Sequence, residues 1–282
     1  MNKFYIQIVL FLLSVSLCVS NKTLATEPAP RKVTTSKSNN YYPTSEEIYE
    51  KNKHLLCTDP KEINEAVELM NDAVKHLEFH AKNMDGYKIC ESFINRNMNL
   101  YIKKHEKRTY IEKIDYAFDS YDKYPEIINE IWDPDHANPF NNGDVKIVRV
   151  YNPNLVMIQQ RYKKKIKGKH IYFYALATKV EISQYNTIIA YVSPDINDHN
   201  PYTKKYENKV IEKANSFKTD IDSEDDIRKG KLRKVFVNLS GYYIQQNKIG
   251  ANVTYIESID GHTSIQHNCF CGKCCNRYHI HK

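Results

Sequence analysis

Between Asp59 and Ala81 the chain reads DPKEINEAVELMNDAVKHLEFHA, and this stretch decides the architecture. Asp59 has the chemistry of an N-cap, Pro60 suits the first helical position, and Glu62 stands three residues after the cap. Ile63, Val67, Met70, Val74, Leu77 and Ala81 then fall on one face at helical spacing. So long an apolar stripe must pack on something. A shorter helix is expected before it, from Ser45 to about Leu56. After Asp85-Gly86 the apolar period changes toward two, which predicts strands at 87–94, 100–105 and 109–118.

A helical spacing returns briefly in Tyr124, Ile127, Ile128, Ile131 and Trp132. The turn composition Asn141-Asn142-Gly143-Asp144 then opens a second run of strands, at 145–151, 155–162, 171–182, 187–192, 235–245 and 252–259. Between the fourth and fifth of these, Asp195 to Lys231 is a long connection with a helix expected near Lys205 to Phe217 and an acidic run from Asp220 to Asp226. Helices first, then an antiparallel sheet with one helical interruption, is an α+β arrangement. No internal repeat is present.

The whole chain has 282 residues, 41% of them hydrophobic and 27% charged, enough to bury a core. Lys3 precedes an apolar run from Phe4 to Val19 that ends in small residues, so 1–20 reads as a secretory signal cleaved after Ser20. Residues 21–44, rich in Thr, Ser, Pro, Lys and Asn, read as a flexible tether. No later segment is apolar for eighteen residues. The folded domain is expected over 45–265, with a Cys/His-rich tail over 266–282.

The eight glycines exclude three nucleotide or catalytic motifs. The closest two are nine positions apart, so neither a G-x-G-x-x-G turn, a P-loop nor a G-x-S-x-G nucleophile elbow exists. No acid, base and nucleophile converge by motif, and the expectation is a protein that is not an enzyme and takes no cofactor. With Lys3 removed, 40 Lys and Arg face 34 Asp and Glu, a formal charge near +6. Much of it lies in Arg161, Lys163, Lys164, Lys165, Lys167 and Lys169, followed by His170. Such a run suits an anionic membrane face, a phosphodiester backbone or simply a solvated hairpin tip. Without a known module, no nucleic-acid partner is expected.

Cys57 and Cys90 are the natural disulfide candidates of a secreted chain, because one precedes a helix whose end leads to the other. Cys269, Cys271, Cys274 and Cys275 with His267, His279 and His281 crowd the tail. Their C-x-C-x-x-C-C spacing is not a usual zinc pattern, and no metal site is expected. His76 and His80 lie off the apolar stripe and are placed at the surface. Sequons occur at Asn21, Asn238 and Asn252, the last two in expected strands where a glycan fits poorly.

The runs Leu100–His105 (LYIKKH), Tyr110–Asp115 (YIEKID), Asp133–Asp144 (DPDHANPFNNGD) and Tyr255–His262 (YIESIDGH) resemble the exported fam-a proteins of rodent malaria parasites, which are similar to START domains. The likeness spans roughly Leu55 to Ile265. It implies a helix-grip fold, in which a curved antiparallel sheet encloses an apolar tunnel. It also implies a phospholipid cargo such as phosphatidylcholine and release toward the host cell; peripheral membrane contact is expected from the basic run, and the protein is expected to be a monomer. An export signal is only half present in Lys22-Thr23-Leu24-Ala25-Thr26. A START domain ends in an amphipathic lid helix, whereas the residues after Ile265 carry no apolar stripe, so that helix is expected to be missing or altered.

Candidates for the tunnel wall are Trp132, Arg149, Tyr151, Met157, Phe173, Val237 and Tyr255. Large apolar residues are also ordinary core. Arg149, set between Val148 and Val150, would need Glu257 or a lipid phosphate if it faced inward, and needs neither if it lies outside in water. A second reading keeps the fold without cargo, as a host-interaction protein.

Overall fold

The computed structural model describes residues 42–93, 98–106, 109–118, 124–135, 143–166, 168–202 and 205–260. The expected signal sequence, most of the tether, the Cys/His tail and the question of the lid helix lie outside the described residues. Among the described residues no helix is long and apolar enough to cross a membrane.

Helix α1 spans Ser45–Lys51 behind a complete capping box. The Glu47 amide donates to Thr44 Oγ1, and the Thr44 amide donates to Glu47 Oε2 at 2.8 Å. Asn52 closes it by donating Nδ2–H to the Ile48 carbonyl at 2.8 Å. The single helix expected to Leu56 is therefore broken, continuing only as a 3-10 turn over Lys53–Leu55. Helix α2 spans Pro60–Lys82, with Asp59 accepting from the Lys61 amide at 2.9 Å. Its far end is capped from the sheet: Lys113 donates Nζ–H to the Ala81 carbonyl at 2.7 Å, placing a cation where the helix dipole is negative.

Strands β1 (Lys88–Phe93), β2 (Met98–Glu106) and β3 (Thr109–Phe118) precede α3 (Tyr124–Trp132). After it come β4 (Gly143–Asn152), β5 (Leu155–Ile166), β6 (Lys169–Ser183) and β7 (Asn186–Val192). The long connection holds β8 (Asp195–Asn197), β9 (Lys218–Asp220), the short helix α4 (Asp225–Arg228) and β10 (Arg233–Lys234). Then follow β11 (Phe236–Gln246) and β12 (Ala251–Asp260). The main sheet runs β1-β2-β3-β12-β11-β7-β6-β5-β4, antiparallel throughout, with β10 beside β6 and parallel to it. It is not closed into a barrel.

Its strands are apolar on both sides, and alternation sorts them into two cores. One holds Leu69, Met70, Ala73, Val74 and Leu77 of α2 against Met157, Tyr172, Tyr174, Leu176, Ile188, Leu239 and Ile256. The other holds Ile127, Ile128, Ile131 and Trp132 of α3 against Val156, Ile158, Phe173, Ala175, Val237, Tyr242 and Tyr255. The α2 seat is unusually close at one point. Gly241, at φ +149, lies where a Cβ would stand 2.1 Å from the Ile189 carbonyl oxygen and 2.5 Å from Leu77 Cδ1.

The connection from Ser193 to Lys231 extends the cover over the α2 side, contributing Ile196, Val210, Ile211, Phe217, Ile221 and Ile227. The helix expected over Lys205 to Phe217 is absent; one 3-10 turn, Glu212–Asn215, stands there. Asn208 explains this. Its Oδ1 accepts from the Val210 and Ile211 amides, and its own amide donates to Asn215 Oδ1, so side chains take the bonds a helix would need. The parallel pair β8–β9 is a further feature without a periodic signal.

Two more expectations are corrected. Cys57 and Cys90 do not form a disulfide. Cys57 donates its amide to Val150 on β4, at one end of the strand path, and packs on the α2 side, whereas Cys90 lies on β1 at the other end and packs on the α3 side. His80 is not at the surface: it is buried, with Nδ1 3.1 Å from the Tyr87 hydroxyl. His76 does lie out, near Asp72. Asn238 is buried too, bonded to Tyr206 and Ser258, which leaves no room for a glycan.

Burial, and then the charges of Lys103, His105, His76 and Lys113, push the His80 pKa down to about 4. A free histidine titrates near 6.5, so the unfolded chain binds this proton first. Stability should be complete above about pH 6.5 and fall as pH drops toward 4, by about 3 kcal/mol. Urea melts between pH 7 and 4 check this, and His80→Gln should flatten the slope. Gly241→Ala should cost about 3 kcal/mol or more, because neither backbone nor Leu77 can retreat without lifting α2; the urea midpoint reads it.

Candidate functional site

The α3 face of the sheet carries open space. Helix α3 buries Tyr124, Ile127, Ile128, Ile131 and Trp132, at the spacing of a single stripe. Its first turn is pinned to β7, where the Tyr124 hydroxyl lies 3.1 Å from Thr187 Oγ1. Asp133 ends it by accepting from the Asp135 amide, and Lys51 of α1 reaches Asp135 at 2.5 Å.

Two small hollows lie on this face, and α3 lines only the first of them. One, of about 30 Å³, lies under Ile48, Ile131, Trp132, Val156, Ile158 and Ala177. The second, also about 30 Å³, lies among Tyr162, Phe173, Val237, Tyr242 and Tyr255. Tyr191 lines both. Each has room for about one water molecule. Beside the first, between α1 and β4, an open cleft of about 620 Å³ meets solvent.

The second hollow is aromatic with one polar corner. The Tyr242 and Tyr255 rings stand 4.9 Å apart, and Tyr162 and Phe173 5.9 Å apart. Tyr255 donates its hydroxyl to Glu257 at 2.7 Å and accepts from Ser240. Burial holds the phenols of Tyr191, Tyr242 and Tyr255 far above their ordinary range, so they act as neutral donors. Among the described residues no group of His, Cys, Asp and Glu is arranged to hold a metal ion.

The structure divides the seven tunnel candidates. Trp132, Phe173, Val237 and Tyr255 come together on the α3 face. Tyr151 and Met157 point the other way, into the core beneath α2. Arg149 goes with them. A β-bulge between Ile147 and Arg149 resets the alternation, and Arg149 binds Glu62 of α2 at 2.7 Å, Thr219 and the Asp220 carbonyl. Its partner is thus Glu62 and not Glu257, and it is neither an open cation for a phosphate nor solvated outside. Tyr151 donates to the same Glu62 at 2.7 Å. Glu62, which the capping-box pattern assigned to its own helix end, instead ties α2 to β4 and β9.

Residues not foreseen are Ile158, Tyr191 and Tyr242. Register is what was missing: Ile158 lies opposite Ala175, and Tyr242 opposite Tyr255, so the parity of Phe173 and Tyr255 names them once pairing is known.

The basic run is not uniformly exposed. Arg161 forms a two-pronged bond to Asp226, at 2.7 and 3.1 Å, and reaches Glu224 at 3.1 Å. Lys169 donates to the Gly230 carbonyl at 2.7 Å and lies over the Tyr202 ring. The acidic segment 220–226 therefore neutralises the base of the hairpin. Although burial opposes it, bonds from Gln159 and Lys146 hold the Glu224 carboxyl at a pKa of about 2. The side chains of Lys163, Lys164, Lys165 and Lys167 lie outside the described residues.

No family model matches this chain, and no curated protein matches it in sequence. Solved structures do. The human StAR-related lipid transfer protein 5 superposes with a TM-score of 0.52 at 11% identity, over 76% of this chain and 92% of that one. Human STARD10 gives 0.48 at 10% identity, over 71% and 73%. At such identity the likeness to the first of these concerns the fold, and the chain has the START-like helix-grip fold.

Proposed function

We propose that this protein binds a lipid against the α3 face of its sheet and carries it between membranes. The observation that supports this reading most is the division of labour between the two faces. Helix α2 and the 193–235 connection fill one face, while the other presents Trp132, Phe173, Tyr191, Tyr242 and Tyr255 around its hollows. The similar fold of a protein described as a lipid transfer protein points the same way.

Volume constrains the cargo. A methylene takes roughly the room of a water molecule, about 30 Å³, so a phosphatidylcholine-like lipid with about thirty methylenes needs roughly 900 Å³. Hollows of about 30 Å³ do not hold it as they stand. Loading a diacyl phospholipid therefore requires α3 to part from the sheet. That exchange replaces one apolar contact by another, since the five buried side chains of α3 would meet acyl chain in place of strand residues. Secretion through the 1–20 signal, export to a host cell and membrane contact through Lys163, Lys164, Lys165 and Lys167 complete the proposal and rest on the sequence.

The small size of the hollows favours a second reading, in which the packed fold serves host interaction without cargo. Native mass spectrometry separates the two. Purified protein incubated with vesicles of phosphatidylcholine, phosphatidylserine and phosphatidylinositol should show an added lipid mass and move that lipid to acceptor vesicles. A bare protein mass with no transfer from any of the three would overturn carriage and leave the scaffold reading.

A further inference from the structure

Among the described residues eight large hydrophobic side chains are exposed. Three of them, Phe79 at 51%, Met84 at 45% and Ile89 at 62%, fall together where α2 ends and β1 begins. Side chains of the sheet join them into one patch. Lys103 of β2 holds its Nζ 5.8 Å from the centre of the Phe79 ring and 5.6 Å from that of Tyr87. Lys113 of β3 stands 5.6 Å from the same Tyr87 ring and donates to Met84 Sδ at 3.2 Å. Ile89 pairs with Tyr101, which shares a face of β2 with Lys103. Single exposed apolar residues are ordinary, whereas a contiguous group marks an interaction surface.

The charge of this corner selects the partner. Among the described residues neither Lys103 nor Lys113 forms a salt bridge with a carboxylate, whereas Lys82 nearby holds Glu78 at 2.5 Å. Lys113 is buried, so it supplies field and not contact. Lys75, one turn before Phe79, and Lys88, next to Ile89, are exposed and likewise form no salt bridge. Asp85 is the one carboxylate on the turn between helix and strand. The cationic field reaches His80, whose proton Lys103 and Lys113 help to repel. Apolar side chains bordered by ammonium groups on aliphatic stems have the layering of a membrane interface, with hydrocarbon inside and phosphate above it.

We propose that this corner docks on an anionic lipid membrane, with Phe79, Met84 and Ile89 entering the boundary between headgroups and acyl chains and Lys103 at the level of the phosphates. None of these side chains lines the cleft or the two hollows, and a surface of this kind suits a lipid sheet better than a small ligand. The inference goes beyond cargo binding and does not depend on it. It is also separate from the basic hairpin, because β1 ends the strand path on one side and β5 and β6 lie toward the other.

The test uses the chain as cleavage after Ser20 leaves it, floated with vesicles of phosphatidylcholine alone or mixed with phosphatidylserine. Binding to the mixed vesicles is expected. Phe79→Gln and Ile89→Gln, at exposed positions on which the fold does not depend, should each weaken it about tenfold. Lys103→Gln should weaken it about fivefold, and only where phosphatidylserine is present. Insertion has its own readout: Phe79→Trp adds a second indole to the buried Trp132, and brominated acyl chains in the mixed vesicles should quench the added emission. Vesicle binding with that emission unquenched overturns the inference. So does equal binding by parent and corner variants, with loss only when Lys163, Lys164, Lys165 and Lys167 are replaced, a result that spares lipid carriage and the hairpin. Absence of vesicle binding by the parent overturns it too, even where native mass spectra show a lipid adduct. If sedimentation then finds a dimer that Ile89→Gln splits, the corner is a contact between copies of this chain and the membrane inference falls.

Discussion

A sheet whose strands are apolar on both sides cannot stand in water with either side bare, and every other element of this fold answers that constraint. Helix α2 meets it on one side by coming close enough for Leu77 to rest where Gly241 has no side chain. The seat is a matter of ångströms. A close-packed layer of this kind leaves little room between helix and sheet at that point, and the Trp132 hollow and the aromatic hollow lie on the opposite face.

Several charged groups in this protein hold layers together. Glu62 binds Arg149, Tyr151 and Thr219, joining α2 to β4 and β9. Lys234 and Asp198 pair at 3.0 Å, both nearly buried, and Asp198 also accepts from Tyr172 at 2.7 Å, which fastens the long connection to β6. Burial lowers the Lys234 pKa even as Asp198 raises it. Such a pair is tolerable inside because further hydrogen bonds surround it; Asn200 donates to the Tyr172 hydroxyl, and the Ile196 carbonyl accepts from Lys234. The same logic consumes Arg161 and Lys169 at the foot of the basic hairpin. A run of positive charge in sequence is thus partly an internal fastening.

The parts of the fold that were legible were those governed by local periodicity. The α2 and α3 stripes repeat at about 3.6 residues, the long strands are runs of β-branched and aromatic residues bounded by turn signals, and these elements lie where that patterning puts them. What escaped was fixed by partners distant in the chain. Asn208 diverts a segment of helical appearance into a loop by bonding Asn215. His80 lies off the apolar stripe yet is buried, because Tyr87, whose ring Lys103 and Lys113 cover, closes over it. Arg149 is turned by a bulge that only the β4–β5 register reveals. Four of seven tunnel candidates fell on one face because aromatic and aliphatic size finds core but does not say which core.

The position of β12 has a consequence for how this molecule is made. The last strand among the described residues, β12, lies in the middle of the sheet, between β3 and β11, and Thr254 bonds Asp115 from 139 residues away. Until the ribosome has delivered that strand, the first three strands have no link through the sheet to the remaining six. Each part then presents a raw edge to neighbours. Assembly of the sheet must wait for a strand that ends at Asp260, which makes it slow, and a helper that shields those edges during synthesis would matter more here than for a fold closed by its early segments.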